Sequence, residues 1–406
     1  MTGTLVMSAA ASRRFIWSIV SAQVLVQIGA FSLPALLPAY IERWQLSKTE
    51  AGSLVGIFYA AYVVAVPLLV ALTDRIPTRR VYAVGAGLTA LAHLAFAFVA
   101  DGFWSALICR ALAGIGWAGA YMPGLKAIAD TLEGDEQSRA VSMHAAGVGV
   151  AGASSFAVAG LLGEFFSPSV AFLFGGLCAT AALAIAWIAM PSAAPKHVAS
   201  SDPRALLDFR PVFRNKRAMA WIAGYTVHTW EMAALRAWGV TFLAVTAEQA
   251  GAPSWLPAPA SLLTIAGFIG IAVSITGNET AQRYGRMRVV TAAMLIAGAL
   301  SLVTGWLVGT SMVMATVLVM AWLAAIFLDS SALTAGTVQA SDPALRGATM
   351  GLHSMCGYAG GFVGPLGVGL CLDLAGDNLA LGWGLGFGHL AIVTLAGLAF
   401  LRHLRE

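Results

Sequence analysis

Charged residues are scarce in this sequence. Only 10% of its 406 residues are charged and 59% are hydrophobic, whereas an average soluble protein has about 25% charged residues. So few charges cannot cover the surface of a water-soluble globule, and the composition therefore predicts a protein that lies largely within a lipid bilayer. The formal net charge is +4, but the basic residues are spread over short loops, and no polybasic arm indicates nucleic-acid binding.

Cysteine is also scarce, and common catalytic motifs are missing. The four cysteines lie in or beside apolar runs without a C-x-x-C pair, so we interpret them as small apolar packing residues. The sequence contains no G-x-x-x-x-G-K-[ST] phosphate-binding loop and no H-E-x-x-H motif. We therefore expect neither an enzyme nor a resident cofactor or metal ion.

Long apolar runs make up most of the chain. A transmembrane helix needs about 20 mostly apolar residues. Twelve such runs are predicted to span the membrane: 15–40, 50–72, 81–100, 104–127, 141–163, 169–190, 218–245, 259–277, 289–308, 311–334, 347–372 and 381–401. The first run is longer than the core of a cleaved signal peptide, so we expect it to be retained.

Basic residues are distributed unevenly between the two sets of loops. If the N-terminus is cytoplasmic, 19 of the 23 basic residues fall in cytoplasmic segments, and only Arg43 and Lys48 lie in the outer loops. Because cytoplasmic loops carry an excess of lysine and arginine, we predict that both termini lie in the cytoplasm. We further expect a multi-pass, monomeric protein of the plasma (inner) membrane.

The sequence repeats itself weakly. DRIPTRR (74–80) follows the second span and QRYGRMR (282–288) follows the eighth, at an offset of 208 residues, while RAVSM (139–143) and RGATM (346–350) recur at an offset of 207. Parallel repeats of this kind place a transporter's substrate site between two halves. We predict an all-α membrane protein with two pseudo-symmetric six-helix bundles, residues 1–190 and 217–406, joined by a cytoplasmic linker, residues 191–216.

These motifs resemble those of the major facilitator superfamily of transporters. The loop signature G-x-x-x-D-R-x-G-R-R is matched by DRIPTRR, although Val70 and Pro77 replace its glycines, and R-x-x-x-G-x-G in the fourth span is matched by RALAGIG (110–116). The segments GYTVHTWE (224–231) and DSSALTAG (329–336), with His353 and Ser354, are similar to the cyanate-permease-like branch. The resemblance implies twelve helices and the transport of a small solute, and its branch implies a small anion or organic acid.

Ionisable residues inside predicted spans are candidates for function, because they are costly to place in a bilayer. Glu231 and His228 lie three residues apart and share one face of the seventh span. A glutamate beside histidine and arginine can change protonation during transport, or it can tie helices together. Arg236 lies on the face of His228, and its fork of donors suits a substrate carboxylate or an ion pair with another helix.

Two further charges lie within spans. Arg110 on the fourth span has either a cavity-facing or proton-linked role, which the resemblance implies, or a structural one, capping backbone carbonyls. Asp329 on the tenth span is expected to pair with a basic residue or to take up a proton. The remaining substrate-binding or proton-coupling candidates are Gln23, Gln27, Tyr225, Trp230 and His353.

The charged loop residues form a separate set. In a transporter of the resembling family they would latch helix ends together on the cytoplasmic side; the alternative is that they only set topology. The set consists of Asp74, Arg75, Arg79, Arg80, Arg283 and Arg286.

The sequence thus predicts a secondary transporter for a small anion or organic acid, working by alternating access and coupled to protons. One alternative is an efflux antiporter for apolar or cationic compounds, in which Glu231 and Asp329 are the counter-charges. A second alternative is a receptor that uses the transporter fold.

Overall fold

A computed structural model of the chain describes residues 8–192 and 208–404, and all regular structure in these two ranges is helical. Most of the predicted linker, together with Lys196, Arg204 and Arg405, lies outside the described residues. The helices are α1 (Ala9–Gln27), α2 (Ser32–Trp44), α3 (Lys48–Leu72), α4 (Thr78–Val99), α5 (Phe103–Thr131), α6 (Gly134–Phe165), α7 (Pro168–Ala189), α8 (Arg210–Arg214), α9 (Lys216–Ala250), α10 (Pro259–Tyr284), α11 (Arg286–Trp306), α12 (Met312–Ala340), α13 (Arg346–Ala375) and α14 (Leu379–His403).

Eleven helical stretches of the described residues are long and apolar enough to cross a membrane, and α1 with α2 forms the first of them. The seventh predicted span, α9, is not among these eleven; it carries His228, Glu231 and Arg236 in its middle. Its 35 residues reach about 50 Å at 1.5 Å per residue, which exceeds a hydrocarbon core of about 30 Å. The eleven stretches and α9 together give the predicted twelve-helix fold.

The first span is broken in its middle, whereas the sequence predicts one helix over 15–40. A turn separates α1 from α2, and Pro34, which has no N–H to donate, lies in the first turn of α2. The break frees backbone groups that other helices then bind. The N–H of Phe31 donates to Ser155 Oγ at 3.0 Å, and the carbonyl of Gly29 lies 3.1 Å from His93 Nε2.

The two halves meet along three helix pairs: α3 with α13, α6 with α10, and α2 with α9. The first two pairs are equivalent, because each joins the second span of one half to the fifth span of the other. The third joins the first span of each half. This pattern is what a two-fold pseudo-symmetric arrangement of two six-helix bundles requires.

Two ends of the helix assembly are distinguished below. The terminal face carries the ends of α1, α9 and α14 that are nearest the chain termini and the linker. The distal face is the opposite end and carries loops 45–47, 251–258 and 376–378.

Glycines allow α3 and α13 to approach closely near the distal face. A side chain added at Gly52 would meet the carbonyl of Pro365, and one at Gly369 would meet the carbonyl of Lys48. Small residues are commonly found where membrane helices pack backbone to backbone. The bundles are therefore packed tightly against each other at this end.

Candidate functional site

Arg236 lies where the two bundles meet. Its guanidinium carbon is 5.0 Å from the ring centre of Phe31, in the break of the first span, and 5.3 Å from that of Phe327 on α12. It makes no hydrogen bond or ion pair with any of the described residues, and its side chain is partly exposed. A cation with free donors, held between two rings, is able to bind an anion.

Two tyrosines complete the surroundings of Arg236. The side chains of Tyr59 on α3 and Tyr358 on α13 lie within electrostatic reach of its guanidinium, and their rings stack with centroids 5.9 Å apart. Neither tyrosine carries a negative charge in its ordinary phenolic form. The immediate neighbours of Arg236 therefore leave its positive charge uncompensated.

Arg110 is bound to backbone carbonyls. Its Nε donates to the carbonyl of Leu54 at 3.4 Å, and both terminal nitrogens donate to the carbonyl of Ala30, also at 3.4 Å. Ala30 lies in the break of the first span. The guanidinium also covers the ring of Phe58 at 4.8 Å. This geometry favours the structural alternative, in which Arg110 caps carbonyls that the break leaves free.

Glu231 points into the second bundle, away from both arginines. Its Oε1 accepts a hydrogen bond from Trp322 Nε1 at 2.6 Å, and its Oε2 accepts one from Thr394 Oγ1 at 3.4 Å. No cation among the described residues contacts it, although the sequence suggested histidine and arginine neighbours. Five residues along a helix correspond to about 500° of rotation, which is why Glu231 and Arg236 face different ways.

Asp329 and His228 form a buried pair. His228 Nδ1 lies 2.8 Å from Asp329 Oδ1, with side-chain exposures of 2% and 4%. The ring of Tyr225 stacks between two histidines, at 5.6 Å from His228 and 3.8 Å from His353. His353 in turn lies 3.1 Å from Thr337 Oγ1. These residues, here called the buried polar row, join α9, α12 and α13.

The other sequence candidates bind within their own bundles. Gln23 Nε2 donates to Gln27 Oε1 at 2.9 Å, while Gln23 Oε1 is buried without a partner among the described residues. Trp230 Nε1 donates to His389 Nε2 at 3.3 Å. Trp230 therefore faces α14 rather than the first bundle.

The predicted latch residues also contact partners of their own half. Asp74 pairs with Lys126 at 3.6 Å, and Arg79 covers the ring of Trp187 at 4.4 Å. Arg286 donates to Gln339 Oε1. Arg283 lies over Tyr284 at 5.3 Å, and Arg75 and Arg80 are exposed.

Several residues of the site escaped sequence reasoning. Phe31, Phe327 and Tyr358 surround Arg236, and Trp322 holds Glu231. Each is an aromatic residue in an apolar span, and such residues are common throughout the chain. These aromatic residues differ from the others only because they surround a charged side chain. That arrangement depends on how the helices pack.

Two further observations limit the interpretation of the site, one on metal binding and one on the position of a cavity. Among residues 8–192 and 208–404, no group of three or more His, Cys, Asp or Glu side chains is placed to hold a metal ion. A cavity of about 530 Å³ opens at the terminal face, between Arg14 and Phe15 of α1 and Ile185 and Ile188 of α7. None of the residues around Arg236, and none of the buried polar row, lines it.

Comparison with known proteins identifies the family. A sequence profile of the Major Facilitator Superfamily matches residues 19–365, whereas a search of curated proteins found no match. A bacterial homolog of the human lysosomal transporter Spinster, in an inward-facing and occupied conformation, superimposes with a TM-score of 0.78 at 15% identity, covering 98% of each chain. The nucleoside transporter NupG gives 0.75 at 14% identity, over 98% of this chain and 99% of that one. The human organic anion transporter MFSD10 (TETRAN) gives 0.68 at 19% identity, over 96% and 99%. With its helix order, bundle contacts and a family match over most of its length, the chain belongs to the Major Facilitator Superfamily of solute transporters.

Proposed function

We propose that this protein is a secondary active transporter for a small organic anion, that Arg236 binds the anion, and that transport is coupled to protons. The superfamily and its transporter fold support solute transport. The chemistry around Arg236 supports the class of solute.

The observation that carries the proposal is that Arg236 lies between the two bundles without a paired carboxylate among the described residues. Its guanidinium lies between one ring from each bundle, at 5.0 Å from Phe31 and 5.3 Å from Phe327. No carboxylate of the described residues pairs with it. A charge within a membrane span is costly unless it is paired, so a site that keeps an unpaired cation between the two bundles is suited to an anion that arrives from outside.

The carboxylates of the second bundle weaken the alternative of cationic efflux. Both Glu231 and Asp329 are nine-tenths buried or more and are already hydrogen-bonded, to Trp322 and His228 respectively. Neither faces Phe31 or the other residues around Arg236. A cationic substrate would therefore meet an arginine before it met a counter-charge.

Alternating access is supported by hydrogen bonds that join the two bundles on the distal side. Near the distal face, the backbone N–H groups of Lys48 and Thr49 donate to the Asp373 carboxylate at 2.8 and 2.7 Å. Deeper in the assembly, the Thr264 hydroxyl accepts from the N–H of Ala157 and donates to the carbonyl of Ala153, both at 2.8 Å. These bonds cross between the bundles and must break before the distal face can open.

The orientation follows the lysine and arginine distribution, with the termini in the cytoplasm of a cell whose inner membrane holds the protein. The closed distal face is then outside. We retain residues 1–190 and 217–406 as the two domains, residues 191–216 as the linker, and a monomer as the transporting unit. The cyanate-permease-like resemblance rests on segment 224–231 and remains a hypothesis.

Proton coupling is assigned to the acidic residues of the second bundle. Counted at about 1.5 Å per residue from their helix ends at the terminal face, Glu231 lies about 22 Å deep, Asp329 about 16 Å and His353 about 10 Å. The buried polar row thus leads from the level of Glu231 toward the terminal face. Chains of acidic residues and histidine are a known way to move protons through membrane proteins.

The experiment is a thermal-shift screen of small organic and inorganic anions on the purified full chain, followed by uptake of the selected anion into proteoliposomes. We expect selective stabilisation that is lost in Arg236→Ala and retained in Arg217→Ala. Arg217 is the matched control because it lies on the same helix but is exposed. Equal stabilisation of both variants by the anion, or saturable uptake that Arg236→Ala leaves unchanged, would refute the proposal.

A further inference from the structure

The wall beside Arg236 is built of aromatic rings from both bundles. Tyr59 and Tyr62 of α3, Trp117 of α5 and Tyr358 of α13 form one connected cluster, here called the ring wall. Tyr358 is its centre, with ring centroids 4.4 Å from Tyr62, 5.2 Å from Trp117 and 5.9 Å from Tyr59. Three of these rings come from the first bundle and one from the second.

The ring wall and the cation belong to one place. Phe31, whose ring centre is 5.0 Å from the Arg236 guanidinium carbon, belongs to the same hydrophobic cluster as Tyr59, Tyr62 and Trp117. Phe327 and Tyr358 pack against that cluster. Tyr358 is only partly buried, as are Arg236 and Phe327. Arg236, Phe327 and Tyr358 therefore each keep part of the side chain accessible to a ligand.

Two members of the wall have a buried polar atom without a partner among the described residues, namely the Tyr62 hydroxyl and Trp117 Nε1. Trp117 is 7% exposed, and its Nε1 is buried without an acceptor among the described residues. An indole N–H can only donate, and a buried donor in a native protein normally finds an acceptor. Trp117 Nε1 is therefore a donor at the ring wall that the acceptor of a bound ligand can satisfy.

From this arrangement we propose that the transported anion is an aromatic carboxylate. Its carboxylate binds the fork of Arg236, and its ring packs against Tyr358 and the adjoining ring wall. The inference rests on the proposed function and adds the shape of the substrate to its charge. Aromatic pairs prefer offset-stacked or edge-to-face contacts, and the wall contains both, with interplanar angles of 15° between Tyr59 and Tyr358 and 83° between Trp117 and Tyr358.

Aromatic walls also bind organic cations, so the charge of the site decides between the two ligand types. Arg236 lies against Phe31 of the same cluster. Arg110 covers the ring of Phe58, which stacks on Trp117 of the wall at 5.2 Å. The acidic residues Glu231 and Asp329 are engaged elsewhere in the second bundle. The charge around the ring wall is therefore positive, which favours an anionic ligand over a cationic one.

The test compares probes of nearly equal size on the purified full chain by thermal shift and by equilibrium binding. Benzoate is the aromatic carboxylate, cyclohexanecarboxylate is its saturated analogue, and benzamide is its neutral analogue. Succinate and benzyltrimethylammonium complete the set as an aliphatic dianion and an aromatic cation. We expect benzoate to bind about tenfold more tightly than cyclohexanecarboxylate, and benzamide to bind more weakly still.

Variants separate the ring from the charge. In Tyr358→Leu the preference for benzoate over cyclohexanecarboxylate should shrink toward one, whereas Tyr358→Phe should keep it because the ring remains. Arg236→Ala should lose both carboxylates. Cyclohexanecarboxylate binding that Tyr358→Leu retains shows that a loss of benzoate preference in this variant is not a folding defect.

The outcomes are distinguishable. If succinate or cyclohexanecarboxylate binds as tightly as benzoate and still depends on Arg236, the aromatic inference is wrong and the anion transporter stands. If benzyltrimethylammonium is the preferred probe, or if no anion stabilises the protein through Arg236, the proposed function itself is wrong.

Discussion

The imidazole Nδ1 of His228 lies 2.8 Å from Oδ1 of Asp329, and the two side chains are almost completely buried between α9 and α12. Such a pair can hold one proton in two ways, either as a neutral histidine with a protonated acid or as an ion pair. A pair of this kind, placed on the way from Glu231 to the terminal face, is able to pass a proton on.

Asp329→Asn should therefore uncouple transport from protons. Asparagine keeps the shape and can still accept from His228, but it cannot bind a proton. We expect pH-gradient-driven accumulation in proteoliposomes to be lost, while exchange of labelled for unlabelled substrate continues. His403→Asn is the control, since His403 is exposed at the end of α14. Accumulation in Asp329→Asn at the level of the unmodified protein would contradict this role.

Glu231 gives a second, separable prediction. Glutamine can still accept from Trp322, whose Nε1 is 2.6 Å from Oε1, so Glu231→Gln should fold. If Glu231 carries the proton, this variant should bind substrate but fail to accumulate it against a gradient. Glu231→Ala should instead lower the free energy of unfolding by about 1–3 kcal/mol, because it leaves the Trp322 donor without an acceptor.

These two variants answer different questions. Loss of accumulation in Glu231→Gln at unchanged thermal stability indicates a proton carrier. Unimpaired accumulation in Glu231→Gln, together with a destabilised Glu231→Ala, would mean that the glutamate only ties α9 to α12 and α14.

The distal closure depends on Asp373. Its carboxylate accepts the N–H groups of Lys48 and Thr49 and so caps the first turn of a helix in the other bundle. Losing such a cap costs about 0.5–2 kcal/mol. Asp373→Asn should therefore shift the population toward the distal-open state, and hydrogen exchange of the segment 47–56 should become faster.

Asp377→Asn is the matched control for this shift, because Asp377 lies four residues further on and is exposed at the same face. Exchange that rises equally in both variants would indicate a general loosening. Exchange that rises in neither would show that the Asp373 contact does not hold the distal face closed.

The two arginines within the spans should behave differently. Arg110 is bound to the carbonyls of Ala30 and Leu54, so Arg110→Gln should destabilise the break in the first span and lower the melting temperature. The order of preference among anions should stay the same in that variant. Arg236→Gln should do the reverse and lose anion binding with little change in melting temperature. A thermal-shift series with and without the selected anion measures both, and an altered anion preference in Arg110→Gln would assign Arg110 to the binding site instead.

The sequence by itself determined that this protein lies in a bilayer and that it consists of two related halves. Scarce charge and long apolar runs require a bilayer, because unpaired charges are too costly there and backbone groups must be satisfied within helices. The recurring loop motifs indicated two related halves, and the family match over residues 19–365 confirms the superfamily. Arg236 was also recognisable as a candidate, since an arginine inside a span requires an explanation.

Only the tertiary structure decided which partners these residues have. Helical spacing places Glu231, His228 and Arg236 on one chain segment, but neighbours on other helices turn Glu231 toward Trp322, pair His228 with Asp329 and leave Arg236 between Phe31 and Phe327. The break that Arg110 caps and the Asp373 contact with α3 were likewise not visible in the sequence. Side-chain partners in a helical bundle are set by which faces pack together, and residues as far apart in the chain as Lys48 and Asp373 come into contact because the two bundles pack against each other.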